Sequence, residues 1–262
     1  MIKPKRSLGQ NFLIDESIID LITNIINIEN RNILEVGPGT GNLTSAILKK
    51  NPKKFIVIEK DNRLADEIEK KFKGKVEIIN DDILSIDEDL IHKNILTVFG
   101  NLPYNISTEI LCKWILNLNY QNLWFDYLIL MFQKEVADRI LASSNTKYYG
   151  RLSILSNWKL DIKKVCDVKP SSFFPQPKID STILFFKPKK KYFNLKDATN
   201  LEKITRVFFM HRRKMIKKPY IQLFKKRLNV ASELKIDLNL RPQNLNLETY
   251  LKLASEYEKL RG

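Results

Sequence analysis

Cysteine and histidine are scarce in this chain, which has two of each in 262 residues: Cys112 and Cys166, His92 and His211. Neither pair, nor the four together, shows metal-ligand spacing, so no structural or catalytic metal is expected. The cysteines read as reduced, partly buried thiols of a cytoplasmic protein. No apolar run approaches the ~18 residues of a membrane span. The amino terminus is basic (Lys3, Lys5, Arg6), but no apolar segment of a secretory signal follows. Acidic residues are short in one region only. Residues 1–184 carry 23 Asp and Glu against 25 Lys and Arg, whereas residues 185–262 carry 7 against 20, so +13 of the overall +15 sits in the last 78 residues. A lysine-rich solvated surface from biased composition would have spread this charge evenly. Its concentration favours a polyanionic partner, bound with strong salt dependence.

What is present is a 44% hydrophobic chain long enough for a large domain and a small one. Strand-like runs at Ile33–Val36, Phe55–Ile58, Val76–Ile79, 95–99 and Tyr127–Phe132 alternate with helical patterns at Leu43–Lys50, Arg63–Phe72 and Ser107–Leu118. That alternation predicts an α/β fold with a mostly parallel sheet covered on both faces, and Thr182–Phe186 reads as its final edge strand. Pro188-Lys189-Lys190-Lys191 marks a change of composition. Beyond it Leu201, Ile204, Val207, Phe208, Met215 and Ile216 recur at helical spacing, with Arg206, Arg212, Arg213, Lys214 and Lys217 on the other faces. The expected division is 1–188, with 1–31 as an amino-terminal segment, and a small basic all-helical domain over 189–262.

Three features follow the first three strands in order. Glu35-Val36-Gly37-Pro38-Gly39-Thr40-Gly41 closes the first, and glycines at alternate positions (Gly37, Gly39, Gly41) let a ligand approach the backbone. The G-x-G-x-G spacing differs from the dinucleotide G-x-G-x-x-G, which disfavours a nicotinamide oxidoreductase; a plain tight turn is the bland alternative. Glu59 ends the second strand, 18 residues past Gly41, where a carboxylate can accept both hydroxyls of a ribose. Asp82 follows the third strand, placed to accept from an adenine amine, although a lone acid there is ordinarily a solvated cap. After the next strand comes Asn101-Leu102-Pro103-Tyr104. An asparagine oxygen and the Leu102 carbonyl can together hold an exocyclic amine, whose lone pair is otherwise delocalised into its ring. Pro103 restricts Leu102, and Tyr104 offers a face for a base to stack on. An ordinary turn is again the alternative, and the other three features weigh against it.

Together these residues resemble the small-subunit ribosomal RNA adenine N6,N6-dimethyltransferases, a family of class I, Rossmann-like methyltransferases, over nearly the whole chain. Ser7-Leu8-Gly9-Gln10-Asn11-Phe12-Leu13 resembles the family's amino-terminal motif, and Gln133-Lys134-Glu135-Val136 and Tyr149-Gly150-Arg151-Leu152-Ser153 match further segments. The resemblance implies S-adenosylmethionine as methyl donor, S-adenosylhomocysteine as product, and no metal. It implies donor contacts from Asn11, Leu13, Gly37, Gly39, Gly41, Glu59, Asp82, Ile83 and Asn101, with Asn11 and Leu13 at the methionine end. Within Pro170-Ser171-Ser172-Phe173-Phe174-Pro175-Gln176-Pro177-Lys178 it implies that Phe173 stacks on the target adenine opposite Tyr104; the bland alternative is that one of the two phenylalanines plugs the core, a part that falls more readily to Phe174. The implied reaction transfers two methyls to each of two adjacent adenosines near the 3′ end of the small-subunit RNA, during ribosome biogenesis. The implied partner is the small ribosomal subunit, bound by a monomer through Arg206, Arg212, Arg213, Lys214 and Lys217.

The chain departs from the family pattern after Arg212-Arg213-Lys214, where Pro219 is expected to end or kink the helix near Lys218. Two rival readings remain at this point. One is a resistance-type methyltransferase acting on large-subunit RNA; the other is a nucleic-acid-binding factor on the same fold that transfers nothing.

Overall fold

A computed structural model describes residues 3–5, 9–91, 93–119, 121, 123–225 and 227–261; Arg6, Ser7, Leu8 and His92, named above, lie outside the described residues. In chain order the elements are β1 (Phe12–Leu13), α1 (Glu16–Thr23), β2 (Asn32–Val36), α2 (Asn42–Leu48), β3 (Lys54–Ile58), α3 (Asn62–Phe72), β4 (Glu77–Ile79), α4 (Glu88–Ile91), β5 (Leu96–Gly100), α5 (Ser107–Asn117) and β6 (Phe125–Gln133). There follow α6 (Lys134–Leu141), α7 (Arg151–Lys159), β7 (Leu160–Val168), β8 (Phe173–Phe174), β9 (Ser181–Pro188), α8 (Thr199–Phe209), α9 (Lys217–Phe224), α10 (Val230–Glu233) and α11 (Leu247–Lys259).

Seven strands form one sheet in the order β4-β3-β2-β5-β6-β9-β7, while β1 and β8 make a small antiparallel pair. Strands β4, β3, β2, β5 and β6 are mutually parallel, and β9 runs antiparallel to β6. The central strands are continuous apolar runs because both faces are covered: Ile33, Leu34, Ile56, Val57, Val98 and Phe99 are all buried. Each such side chain contributes roughly 1.5–3 kcal/mol of transfer free energy. Helix α3 shows how the covering helices are specified. Leu64, Ala65, Ile68 and Phe72 form its buried stripe, and the Asp61 side chain caps it by accepting from Arg63 N at 3.2 Å.

The expected edge strand is corrected here. Thr182–Phe186 lies inside β9, which is flanked by β6 and β7, so it is not the edge; β7 is outermost. The exposed positions of β7 are Asp161, Lys163, Lys164 and Asp167, charges that protect an edge strand and that hide it from a search for apolar runs.

The chain divides into two compact units. One comprises the residues up to Lys113 with Leu118–Ala137 and Ile162–Pro188; the other comprises Trp114–Asn117, Asp138–Asp161 and Lys189 onward. The single cut expected after Pro188 is therefore one of several junctions, and α7 belongs with the carboxyl-terminal helices. That second unit is held by aromatic packing. Phe209 stacks on Tyr250 at 5.8 Å and Tyr220 on Phe224 at 4.9 Å, with Phe208 edge-on to Tyr250. Leu201, Ile204, Phe208 and Ile216 are buried as expected, but Met215 is 58% exposed because α8 stops at Phe209 and a turn intervenes. Pro219 does not break a helix. It sits in the first turn of α9, where its missing N–H costs no hydrogen bond, and the interruption comes earlier, between Met210 and Ile216.

Gly41 carries the junction between β2 and α2. It caps α2 in the left-handed region, with φ +77°, and a Cβ there would lie 2.8 Å from both Ile68 Cδ1 and Phe72 Cε2 of α3. Gly41→Ala should therefore cost about 1–3 kcal/mol of stability through crowding and backbone strain. Urea unfolding would measure it, and an unchanged midpoint would show that α3 gives way freely.

Candidate active site

Strand register places the site. Val36 pairs with Ile58 and with Gly100, and Ile58 pairs with Ile79, so the four parallel strands finish level with one another. The next residue on each is Gly37, Glu59, Asn80 and Asn101, which form a row across the carboxyl ends. The chain leaves β2 toward β3 on one side and meets β5 on the other, the topological switch at which open α/β sheets bind ligands. A cleft of about 310 Å³ lies there, lined by Asn11, Gly37, Glu59, Asp82, Asn101 and Tyr104 among others.

The glycine loop leaves room at the cleft. Gly37 has φ +71°, and a Cβ on it would meet only the Asn101 carbonyl oxygen, at 3.9 Å. Gly39 is different: a Cβ there would meet Phe12 at 2.7 Å, so Phe12 closes over the loop. Gly41, expected among the ligand-contacting glycines, is not in the lining and serves the helix junction instead.

Two buried acids face this space. The Glu35 carboxyl is pushed up to about 8 by burial, against which a 2.7 Å bond from Thr44 Oγ1 works, with Glu59 nearby adding repulsion. Glu59 is also raised by burial, although its Oε1 accepts from Asp61 N at 2.9 Å and its Oε2 from Gly39 N at 3.4 Å. Those bonds fix the carboxylate and leave further lone pairs on each oxygen for a diol. Asp82 behaves otherwise. Burial acts to raise it, but the Lys60 ammonium at 2.5 Å and Leu84 N at 3.0 Å hold it below the usual value. Its loop is pinned from α5, where Lys113 Nζ donates to the carbonyls of Ile83 and Ile86 and pairs with Glu88 at 2.8 Å.

On the opposite wall Asn101 Nδ2 donates to the Asn11 carbonyl at 2.8 Å, which orients the amide and leaves Oδ1 as its acceptor. The Tyr104 hydroxyl and Ser181 Oγ share a hydrogen bond of 2.5 Å, and burial raises the Tyr104 hydroxyl above its ordinary value. Ser181 begins β9, so the ring plane of Tyr104 is set by the sheet. Nothing in the sequence pointed to Ser181; the pair is separated by 77 residues.

The exposure expected for the Phe173–Phe174 pair is reversed. Phe173 pairs with Leu13 across β1 and β8 and is 1% exposed within the main apolar core, while Phe174, paired with Phe12, is 48% exposed. Successive strand residues face opposite sides, and in this register the Phe173 side shares the face of Leu13, which packs inward. Leu13 and Ile83 are buried residues that also line the cleft. Of the five cations singled out in the second unit, Arg206, Arg213, Lys214 and Lys217 are exposed. Arg212 is committed to the backbone, donating to Thr146 O at 3.1 Å and to Lys147 O. Among the described residues no group of three or more His, Cys, Asp or Glu is arranged to hold a metal ion, and no helix is long and apolar enough to cross a membrane.

A parallel sheet with a glycine loop after its first strand and acids after the next two defines a class I, Rossmann-like methyltransferase fold. The chain belongs to the family described as ribosomal RNA adenine dimethylase, which matches residues 1–259. It is 60% identical over 261 residues to the ribosomal RNA small subunit methyltransferase A of Pelagibacter ubique (strain HTCC1062), covering 100% of this chain and 99% of that one. It is 44% identical over 261 residues to the protein of the same name from Ehrlichia ruminantium (strain Gardel), covering 97% of each. Among solved structures, a dimethyladenosine transferase from Plasmodium falciparum superposes with a TM-score of 0.79 at 29% identity, covering 95% of this chain and 98% of that one. The 23S rRNA methyltransferase ErmE shares the fold, with a TM-score of 0.66 at 22% identity over 96% of this chain and 100% of its own.

The raised Glu35 carboxyl gives a pH signature. A group whose pKa rises on folding stabilises the fold most below its unfolded value, here 4.5, and that contribution is lost as pH climbs toward about 8. The melting temperature of the ligand-free protein should fall across that interval, and Glu35→Gln should flatten the decline. Parallel curves for the two proteins would mean that Glu35 is ionised throughout.

Proposed function

We propose that this chain uses S-adenosylmethionine to dimethylate the N6 amines of two adjacent adenosines near the 3′ end of small-subunit ribosomal RNA, acting in the cytoplasm as a monomer during small-subunit assembly. The observation that carries the reading is the tethered Asn101 amide, presented at the end of β5 in the same row as Gly37 and Glu59. The residues suit the donor. Gly37 leaves space beside the backbone, Glu59 offers a fixed carboxylate to ribose hydroxyls, and Asp82, Ile83, Asn11 and Leu13 supply the remaining walls.

When bound, S-adenosylmethionine supplies a methyl on a positively charged sulfur, so that departure as a neutral thioether needs neither a metal nor a strong base. The chain's task is positioning. Asn101 Oδ1 and the Leu102 carbonyl accept from the two N–H groups of the target amine and turn its lone pair out of the ring. Pro103 restricts Leu102, and Tyr104, anchored on Ser181, stacks on the base with a contribution of roughly 1–3 kcal/mol. Holding the reacting atoms in register is the principal source of rate. Phe173 has no stacking role in this reading; the exposed ring of that loop is Phe174. The second unit, with its excess of Lys and Arg, docks the RNA backbone through Arg206, Arg213, Lys214 and Lys217, while Arg212 shapes the turn that carries two of them.

The decisive experiment incubates the protein with labelled S-adenosylmethionine and small subunits lacking the modification, and maps dimethyladenosine by mass spectrometry, with large-subunit RNA in parallel. Two neighbouring dimethylated adenosines near the 3′ end are expected, and Asn101→Ala should cut turnover on the order of 10²-fold with much less effect on donor affinity. Label confined to the large subunit would move the assignment to a resistance-type enzyme, and donor binding without transfer would indicate a binding factor. In a salt titration of subunit binding, Arg213→Ala should lower the log–log slope by about 1 and Arg212→Lys should leave it unchanged. Equal slopes for wild type and Arg213→Ala would remove that residue from the docking surface.

A further inference from the structure

One buried carboxylate next to the cleft does more than the capping of α3 described above. The side chain of Asp61 is 1% exposed, yet it gathers donors from two separate parts of the chain. From α3 it takes the Arg63 guanidinium as a fork, with Nε at 3.1 Å and Nη2 at 2.7 Å. From the amino-terminal arm it takes Lys5 Nζ at 3.1 Å and Gln10 Nε2 at 3.2 Å. Two further bonds close the arm on itself and on α3: Lys5 N donates to Gln10 Oε1 at 2.7 Å, and Arg63 Nη1 reaches Lys3 O at 3.4 Å. The Arg63 contact, foremost, and the arm's two donors hold the Asp61 carboxyl far below the usual carboxylate range despite its burial.

Gly9 and Asn11 lie against the other wall. The Cβ position of Gly9 lies 3.0 Å from Asn105 Oδ1 and 3.8 Å from Pro103 Cβ, and Asn11 Nδ2 donates back to Gly9 O at 3.2 Å. Asn11 O is the acceptor that orients Asn101, and Asn42 Nδ2 holds Leu13 O at 2.8 Å. Meanwhile Asp61 N fixes Glu59 Oε1. One residue therefore touches the acid on the ribose side of the cleft through its backbone, and through its side chain anchors the strap that reaches the amide on the other side.

We propose that Asp61 is a positioning residue: its carboxylate latches Lys5 and Gln10 and thereby fixes the neighbouring Asn11, which lines the donor site and whose carbonyl orients Asn101. The inference rests on the reading of this cleft as the donor site.

The test uses the full chain with three substitutions. Asp61→Asn keeps an N-cap of equal quality for α3 while removing the charge that Lys5 and Arg63 bind. Lys5→Gln loosens the latch from the half-exposed arm side, where folding is not at stake, and Lys5→Arg preserves its charge. Binding and stopped-flow release of S-adenosylhomocysteine should show Asp61→Asn and Lys5→Gln each dissociating about three- to tenfold faster than wild type, with Lys5→Arg close to wild type. Turnover should fall in the same two variants, with kcat reduced as well as donor affinity because Asn101 is disturbed. Wild-type release rates in both Asp61→Asn and Lys5→Gln would overturn the latch. Failure of the wild-type protein to bind S-adenosylhomocysteine would instead overturn the reading of the cleft itself.

Discussion

The register of four parallel strands is the constraint on which the rest of this structure depends. Because Val36, Ile58, Ile79 and Gly100 finish level, the residues that follow them share a line across the sheet, and each loop begins from a fixed origin. A slip of one residue in β3 would turn its whole apolar set over and move Glu59 away from Gly39. Burial of both sheet faces penalises that slip heavily, so the site inherits its precision from the core. The 101–106 loop and the glycine loop are irregular segments, but their first residues are placed by the strands behind them.

Against this rigid line the cleft carries an electrostatic load that the fold does not need. Glu35 and Glu59 both lose hydration and raise each other's cost of ionisation, with Thr44 and three backbone N–H groups as partial compensation. A core built for stability alone would place apolar groups there. The retained acids make sense for a pocket that receives a cationic ligand with a diol. Asp61, one turn of chain away from Glu59, shows the opposite solution: equally withdrawn from solvent, it stays ionised because two cations converge on it.

How much of this could be read from the residues follows from how local each determinant is. Strands β2, β3 and β5 and helix α3 announce themselves through apolar periodicity, and Gly37, Glu59, Asp82 and Asn101 stand at strand ends that the pattern already marks. The edge strand β7 was hidden because its exposed positions are charged, and the break before α9 was misplaced because Pro219 drew attention while the turn at Met210–Ile216 has no breaker residue. The inward face of Phe173 depends on pairing with Leu13, 160 residues earlier, and no local signal says which of two adjacent phenylalanines a strand will bury. Ser181 under Tyr104 and Asp61 under the arm are likewise partnerships between distant segments, and a hydroxyl or carboxylate carries no sequence mark of its partner.

The same distinction separates the two kinds of cation in the second unit. A count of Lys and Arg treats Arg212 and Arg213 alike, yet Arg212 spends its guanidinium on two backbone carbonyls of the 146–147 turn while Arg213 projects into solvent. Long-range attraction to a phosphate backbone depends on all such charges, since it falls off only over a Debye length. Specific docking depends on the few whose hydrogen-bonding capacity is not already used. The net charge of the region therefore argues for a polyanion as partner, whereas the arrangement of its exposed cations is set by a turn that Arg212 pins, with Arg213 and Lys214 outward. Of the Arg-Arg-Lys run, one member pins the turn and the other two are exposed.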